Sequence, residues 1–310
     1  MYVSSRCAAE LIPLVPQRPH SSDRSPEKVA LRFEGAEITY AALDERVRRL
    51  ATLLRAERGI QPGDRVAYLG FNGPLVLELL FACACLGAIF APLNWRLAPA
   101  EHRTILLDCA PKILVVDPQF HASLADIGKG LSSVAIVGQE DLLAAAAAAG
   151  GTDSPAAGDR SLPLLLVYTS GATGRPKGVV LTHEALFWNA VDSIAAHDMT
   201  SADHVLTVLP MFHVGGLNIH TTPALHAGAC VTIHRRFDST QALRAIAEDR
   251  PTLFLAVPQV SLAMTNHPEW ASTDVSSLRL VATGSSIVPE AVMRPWLERG
   301  VPVTQVYGLT

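Results

Sequence analysis

A segment rich in glycine, serine and threonine has the residue types of a phosphate-binding site. It runs from Thr169 to Gly178 and reads TSGATGRPKG. Glycines let backbone N–H groups turn toward one point, hydroxyls add hydrogen-bond donors, and Lys177 supplies a positive charge. Because no Gly-Lys-Ser/Thr follows at the Walker A spacing, ordinary P-loop kinases and ATPases are disfavoured. The segment predicts a phosphate-binding loop of another type. The alternative is a solvent-exposed hairpin loop without a ligand.

A histidine in an apolar segment is the second candidate for chemistry. His213 lies in the segment from Pro210 to Gly216, PMFHVGG, directly after a predicted strand. A histidine at a strand end could position or gate a ligand, because its imidazole titrates near neutral pH. A lone histidine in apolar surroundings is more often a hydrogen-bonded core residue, and the residues alone rank that interpretation first.

Two polar segments follow predicted strands near the end of the chain. They are Thr283–Ser286, TGSS, and Gln305–Thr310, QVYGLT. Open α/β sheets bind ligands beside the carboxyl ends of their strands, which is where both segments would lie. Taken alone, Tyr307 is equally well interpreted as a core tyrosine and Thr310 as a turn threonine.

The elements that must position these residues alternate between strands and helices. Short apolar strands are predicted at 29–33, from 38, and at 65–69, 112–116, 134–137, 164–168, 204–209, 229–234, 252–257, 278–283 and 303–307. Most are separated by helix-length segments, which is the pattern of right-handed βαβ units on parallel sheets. The very apolar stretch from Leu75 to Leu93 contains Glu78 and Gly87, so it predicts a buried helix and strand and no membrane span.

Composition and charge narrow the class of protein. The chain has 310 residues, of which 49% are hydrophobic and 17% charged, as expected for one large α/β domain or two lobes with a leader up to about Ser25. The net charge is -4 without a basic stripe, which argues against a nucleic-acid partner. Five scattered cysteines without a Cys-x-x-Cys pair argue against a disulfide framework and a zinc site. The same cysteine pattern predicts a reducing, cytoplasmic setting, and no signal peptide is evident.

The motifs together resemble a known family. The stretch from Tyr168 to Gly178 resembles the signature loop of the adenylate-forming superfamily: acyl-CoA synthetases, aryl-CoA ligases, luciferases and peptide-synthetase adenylation domains. The resemblance covers nearly the whole chain after Ser25. It includes four further stretches, Ile38–Tyr40, Pro62–Val66, Pro92–Asn94 and Phe254–Pro258. It implies the two-lobed N-terminal region of that α/β fold over residues 26–310, with parallel-rich sheets and flanking helices.

In this family the signature loop holds the β- and γ-phosphates of ATP. The resemblance assigns that role to Thr169, Ser170, Gly171, Ala172, Thr173, Gly174 and Lys177. Ala172 stands where the family usually has a threonine, which removes a hydroxyl and keeps the backbone donors. We therefore expect weaker phosphate contacts there. Mg²⁺ would bridge the phosphate charge, and no residue of this chain is assigned as its ligand.

The two segments near the end of the chain would bind the rest of the nucleotide. By resemblance, Gly284, Ser285 and Ser286 lie against adenine, Tyr307 stacks on it beside Gly308, and Thr310 bonds the α-phosphate. Ser285 and Ser286 are departures, because the family more often has Gly-Ala-Pro in this stretch. Catalytic roles are assigned to Lys177, His213 and Thr310.

The segment around His213 would bind the acid. By resemblance, His213, Val214, Gly215 and Gly216 lie at the mouth of an acyl tunnel, with His213 beside the reacting carboxylate as a positioning or gating residue. Amino-acid-activating relatives carry an aspartate after the phenylalanine, where it pairs with the substrate ammonium. Burying an ammonium without such a partner is unfavourable. The sequence therefore predicts a fatty or aryl acid and not an amino acid.

The implied reaction has two steps. The carboxylate attacks the α-phosphorus of ATP, pyrophosphate leaves, and coenzyme A then attacks the acyl carbon of the acyl-adenylate and releases AMP. Two alternatives stay open: a ligase that loads a carrier protein, and a non-catalytic nucleotide- or acyl-binding protein. A homodimer is also left open.

The family's motifs continue beyond Thr310. The resemblance implies a following glutamate that helps hold Mg²⁺, an aspartate that grips the ribose, and a mobile C-terminal domain with a catalytic lysine. This chain ends at Thr310. We therefore expect an incomplete N-terminal domain that is inactive on its own.

Overall fold

The structure is a computed structural model that describes residues 26–150, 159–170 and 176–310, and the statements below concern those residues. The strands are β1 Val29–Phe33, β2 Ala36–Thr39, β3 Arg65–Leu69, β4 Ile89–Pro92, β5 Ile113–Val116, β6 Ala135–Gly138, β7 Pro163–Ser170, β8 Pro176–Thr182, β9 His204–Thr207, β10 Cys230–Ile233, β11 Leu253–Leu255, β12 Leu280–Gly284 and β13 Val303–Val306. The leader predicted for residues 1–25 lies outside the described residues.

Helices separate most of these strands. They are α1 Tyr40–Ala56, α2 Pro74–Leu86, α3 Pro99–Cys109, α4 Leu124–Ile127, α5 Gln139–Ala148, α6 His183–Ala196, α7 Val214–Asn218, α8 Thr221–Ala227, α9 Ser239–Glu248, α10 Pro258–Thr265 and α11 Glu290–Leu297, with a 3-10 helix at Pro118–Ser123. The chain divides into two compact units. Unit 1 contains Tyr40–Trp188, and unit 2 contains the described residues up to Thr39 together with Asn189–Thr310.

Unit 1 is built on a sheet with the strand order β6-β5-β3-β4-β7-β8. All neighbouring strands are parallel except β7 and β8, which pair antiparallel. Helix α2 is buried on nearly every side, as its apolar sequence predicts; Pro74 begins it and Gly87 ends it with a left-handed φ of 64°. The carboxylate of Glu78 inside this helix is 3.3 Å from the Arg46 guanidinium, which explains how an acid is accommodated there.

Unit 2 is built on a sheet with the order β13-β12-β11-β9-β10-β1-β2. Only the β1–β2 hairpin is antiparallel. The remaining strands run parallel, so their carboxyl ends share one edge. Phe254 and Trp296 are fully buried at the centre of its hydrophobic core. The predicted α/β fold with two parallel-rich sheets and flanking helices is confirmed.

The structure differs from the sequence prediction around the β7–β8 hairpin. The strand predicted at 164–168 extends to Ser170, and β8 was not predicted because Pro176 and Gly178 are poor strand formers by themselves. Helix α5, which begins at Gln139, contains the alanine run up to Ala148. Cys83, Cys109 and Cys230 have free thiols, and Cys85 is disulfide-bonded.

Candidate functional site

The candidate phosphate-binding segment begins and ends in the β7–β8 hairpin of unit 1. Thr169 is paired with Lys177, and Ser170 with Pro176, at the carboxyl end of β7. The Lys177 side chain is exposed and that of Thr169 is half-buried. Gly171, Ala172, Thr173 and Gly174 lie outside the described residues. The strand register therefore brings a hydroxyl and an ammonium side by side at the two ends of the glycine-rich segment.

His213 begins helix α7 in unit 2. Its Nδ1 accepts a hydrogen bond of 3.0 Å from the Gly215 backbone N–H. In a neutral imidazole with Nδ1 as acceptor, Nε2 carries the proton and is a donor. The residue is exposed, but crowding around its ring lowers the pKa of His213 by desolvation. The neutral ring therefore offers a single N–H donor on its Nε2 side.

Two glycines shape the segment after His213. A Cβ on Gly216 would lie 2.3 Å from the Pro210 carbonyl oxygen, so only glycine fits there. A Cβ on Gly215 would lie 3.2 Å from His213 Nδ1 and 4.0 Å from Ser285 Oγ. Both glycines are buried, and Val214 is half-buried. Unit 2 thus brings the candidate acid-binding segment next to the serine of the candidate adenine segment.

The candidate adenine segments follow the parallel neighbours β12 and β13. Gly284 pairs with Val306, and a Cβ on Gly284 would lie only 2.2 Å from the Val306 carbonyl oxygen. Ser285 follows with a left-handed φ of 67°. Because these two backbone features turn the chain out of β12, the Ser285 and Ser286 side chains are exposed at the strand end.

Tyr307 is 94% exposed, so it is not a core residue. It comes directly after β13, and Gly308 beside it is also exposed while Thr310 is half-buried. The interpretation as a core tyrosine, which the residues alone left open, is therefore wrong. An exposed aromatic ring at the carboxyl end of a parallel strand is available to stack on a flat ligand.

A buried histidine near this edge was not singled out in the sequence. Both ring nitrogens of His220 are buried and have no hydrogen-bond partner in the described structure. Burial lowers the pKa of His220 to about 3. It lines a cavity of about 10 Å³ beside Gly216 and Thr221, roughly the space of one water. The signal that could have found it is a second histidine seven residues after His213 in the same apolar stretch.

Unit 2 brings together, at the carboxyl edge of its sheet, the segments around His213, Gly284 and Tyr307. Thr169 and Lys177 belong to unit 1. Within the described residues no group of three or more histidine, cysteine or acidic side chains is arranged to hold a metal ion. None of the helices in the described ranges combines the length and apolar character that crossing a bilayer needs.

Comparison with known proteins identifies a matching family and its members. The family described as AMP-binding enzyme matches residues 19–310. The chain is 47% identical over 295 residues to indoleacetate–CoA ligase of Aromatoleum aromaticum, covering 92% of this chain and 57% of that protein. It is 41% identical over 286 residues to feruloyl-CoA synthase of an Amycolatopsis species, again covering 92% and 57%. The chain therefore spans little more than half the length of these curated relatives.

Two solved structures have a fold similar to that of this chain. The N-terminal domain of FACL13 from Mycobacterium tuberculosis, with an inhibitor bound, superposes with a TM-score of 0.86 at 31% identity and covers 92% of this chain and 73% of that one. ATP-bound MatB from Rhodopseudomonas palustris superposes with a TM-score of 0.85 at 28% identity, covering 98% and 60%.

Proposed function

Because the chain belongs to the AMP-binding enzyme family, we propose that it serves the ATP-dependent activation of a carboxylic acid and its transfer to the thiol of coenzyme A. The observation that carries the proposal is the carboxyl edge of the unit 2 sheet. There, Ser285 lies beside the His213–Gly216 segment and the Tyr307 ring is exposed. An acid-binding and a base-stacking feature on one sheet edge are what joining an acid to a nucleotide requires.

The proposed nucleotide contacts use the residues that the sequence motifs assign to each part of ATP. The Tyr307 ring stacks on adenine, and the backbone of Gly284–Ser286 lies along the edge of the base. Thr310 donates its hydroxyl to the α-phosphate, while Thr169 and Lys177 hold the β- and γ-phosphates together with the backbone between them. The ATP-bound state of the related MatB supports this choice of nucleotide.

The first chemical step forms a bond between a carboxylate oxygen and the α-phosphorus and breaks the bond to the β-phosphate. Catalysis of such a displacement consists of positioning and charge neutralisation. The His213 Nε2–H donates to one carboxylate oxygen and thereby orients the other toward phosphorus. The Lys177 ammonium stabilises the charge that builds up on the leaving pyrophosphate.

Mg²⁺ is expected to reach the site with the phosphates of ATP. It is commonly bound through one or two carboxylates and the phosphates of the substrate. The described residues contain no acidic cluster that would hold it unaided. When bound, the ion would supply positive charge that offsets the charge of the phosphates.

The proposed acid is an aromatic carboxylic acid. The two curated relatives are named for indoleacetate and ferulate, both of which are aryl acids without an α-amine. The Pro210–Gly216 segment carries no acidic side chain that could pair with an ammonium. An amino acid would leave its charge unpaired there, at a large desolvation penalty.

A screen of acids tests this proposal. Pyrophosphate release is measured with ATP, coenzyme A and each of an arylacetate, a cinnamate, a long-chain fatty acid and an aromatic amino acid. The screen uses this chain and, where its gene encodes more residues, the longer product. We expect the aryl acids to be the best substrates and the amino acid to be inert. A preference for the amino acid would refute the assignment of the His213 segment.

The thiol acceptor is tested in the same assay. Replacing coenzyme A with a carrier protein bearing a phosphopantetheine arm separates the two ligase activities. Thioester formation on the carrier protein, without formation on coenzyme A, would favour the carrier-loading alternative. ATP binding without any pyrophosphate release would favour a non-catalytic binding protein.

A further inference from the structure

Tyr168 lies on one face of the β7–β8 hairpin, which we call its back face. It is paired with Gly178 in the antiparallel register, one position before the Thr169–Lys177 pair. A Cβ on Gly178 would lie 3.2 Å from Cζ of Tyr168 and 2.9 Å from Cδ1 of Leu166. The absence of a side chain at Gly178 therefore lets the tyrosine ring lie close against the opposite strand.

The hydroxyl of Tyr168 connects the hairpin to helix α3. It donates a hydrogen bond of 2.5 Å to Oδ2 of Asp108, in the last turn of that helix. Hydrogen bonds to a carboxylate are shorter and stronger than those between neutral groups. Desolvation first, and then this bond to the carboxylate, raise the pKa of Tyr168, so the hydroxyl keeps its proton at every ordinary pH.

The end of α3 that carries Asp108 is itself held in place. Arg65 of β3 donates from Nε to the Cys109 carbonyl at 2.8 Å and from Nη2 to the Ala110 carbonyl at 2.7 Å. These two bonds satisfy carbonyl groups that a helix leaves open at its C-terminus. Asp108 is therefore attached to the central strands of the unit 1 sheet, and through it Tyr168 is as well.

Alternation along the strands separates the two faces of the hairpin. Successive side chains of a strand point to opposite faces, so Thr169 and Lys177 project from the face opposite to Tyr168 and Gly178. The bond from Tyr168 to Asp108 lies on the back face, and it fixes the direction in which Thr169 and Lys177 project on the other face. The hydroxyl of Tyr168 and the carboxylate of Asp108 do not themselves need to contact the nucleotide.

We propose that Tyr168 and Asp108 are positioning residues, which hold the hairpin on helix α3 so that Thr169 and Lys177 meet the terminal phosphates of ATP. This inference rests on the proposed function, since it names what aligns the phosphate-binding groups of that site. The expected signature is specific to the β- and γ-phosphates. Loss of the bond weakens ATP binding and leaves AMP binding unchanged, because AMP lacks both of those phosphates.

The test uses Tyr168→Phe, Asp108→Ala and the double variant in the full chain. Calorimetry with ATP and with AMP gives the ratio of the two affinities. We expect each single variant to lower that ratio about five- to tenfold, and the double variant to lower it no further, because both substitutions remove one bond. Tyr68→Phe is the matched control. It removes the hydroxyl of another unit 1 tyrosine, which donates to Gln139 at 2.9 Å.

The outcomes separate this inference from the proposed function. If neither the unsubstituted chain nor its longer gene product binds an adenine nucleotide, both fail. If the unsubstituted protein binds ATP more tightly than AMP and neither Tyr168→Phe nor Asp108→Ala changes the ratio, only the positioning role fails. A parallel loss of ATP and AMP affinity, together with a lower unfolding temperature, would also overturn it, because that pattern marks a merely structural bond.

Discussion

The Lys177 side chain is exposed, so its substitution tests phosphate binding with little effect on the stability of the fold. In whichever of this chain and its longer gene product is active, we expect Lys177→Ala to raise the KM for ATP by about ten- to a hundredfold, because a charge-assisted hydrogen bond contributes about 1.5–3 kcal/mol. The KM for the acid should stay unchanged. Lys129→Ala is the control, since Lys129 is an exposed unit 1 lysine paired with Asp126. An unchanged KM for ATP with a raised KM for the acid would contradict the assignment of the loop.

Tyr307 allows stacking to be separated from hydrogen bonding. Tyr307→Ala should weaken adenine nucleotide binding by about 1–3 kcal/mol, the usual range for loss of base stacking on an aromatic ring. Tyr307→Phe should bind almost as well, because the ring is retained. Neither variant should change the free energy of unfolding by more than about 0.5 kcal/mol, since the side chain is 94% exposed. Equal losses in both variants would point to the hydroxyl instead.

The buried His220 predicts a dependence of stability on pH. Its pKa is about 3 in the folded chain and near 6.5 when unfolded. As pH falls from 6.5 toward 3, the unfolded chain takes up the proton and the folded chain does not, so the folded state loses stability. The slope for one such group is about 1.4 kcal/mol per pH unit. The titratable neighbours that act on it are His197, Arg279 and Asp203.

Denaturant unfolding at pH 7 and pH 5.5 measures this effect. His220→Leu should reduce the difference in stability between the two pH values, whatever it does to the stability at pH 7. Burial also lowers the pKa values of His102, His183, His204, His213 and His234, so part of the slope should remain. The lowered pKa of Asp203 has its effect only below about pH 4, outside this window. An undiminished slope in the variant would contradict the prediction.

At the scale of elements, one aspartate joins the amino ends of three unit 2 strands. Asp203, just before β9, accepts hydrogen bonds from Thr252 at 2.6 Å, just before β11, and from Arg279 at 2.8 Å, just before β12. Its side chain is 6% exposed. These bonds lie at the edge of the sheet opposite to the candidate site, so they stabilise the strands without touching a ligand.

Removing this aspartate should be costly to stability. We expect Asp203→Ala to lower the free energy of unfolding by about 3 kcal/mol, because it leaves the partner groups of a buried carboxylate unsatisfied. Asp274→Ala is the control, since Asp274 pairs with Arg250 at 2.7 Å but is 54% exposed, and such surface pairs contribute below about 1 kcal/mol. Similar losses in the two variants, measured by denaturant unfolding, would show that the unit 2 strands do not depend on this cluster.

The elements also show how far the sequence alone could lead. Periodicity and apolar runs predicted the βαβ alternation, and the apolar run from Leu75 to Leu93 proved to be helix α2 followed by β4. Strand β8 could not be predicted, because its pairing with β7 outweighs the low strand propensity of Pro176 and Gly178. The Asp203–Arg279 and Tyr168–Asp108 bonds join residues 76 and 60 positions apart, and no local pattern announces such contacts.

In the candidate site, the sequence motifs identified Gly284 and Gly216. They did not show why these two positions require glycine. Gly284 and Gly216 are required by backbone carbonyls of neighbouring segments at 2.2 Å and 2.3 Å from a Cβ, which only the packed structure reveals. His220 was not predicted as a notable residue, because its lowered pKa results from burial in the folded structure and not from its sequence neighbours. The substrate roles of His213, Tyr307 and Thr310 stay predictions until ligand binding is measured.

At the scale of the whole molecule, unit 2 is assembled from two separate parts of the chain. Strand β1 pairs with β10, so Leu31 is aligned with Val231 although unit 1 lies between them in the sequence. Lys28, just before β1, stabilises the pairing of β1 with β10, because its ammonium donates a hydrogen bond of 2.6 Å to the Gly228 carbonyl. Unit 1, by contrast, is formed by the continuous stretch Tyr40–Trp188 among the described residues.

This arrangement has a consequence for synthesis on the ribosome. At 5–20 residues per second, about 10–40 s separate the emergence of β1 from that of β10. Unit 1 can fold during this interval. The apolar side chains of Ala30 and Leu31, which are buried in the folded protein, stay exposed to solvent until β10 has been synthesised. In nascent chains arrested before β10 emerges, we therefore expect unit 1 to resist proteolysis and the preceding β1–β2 hairpin to be cleaved by the protease.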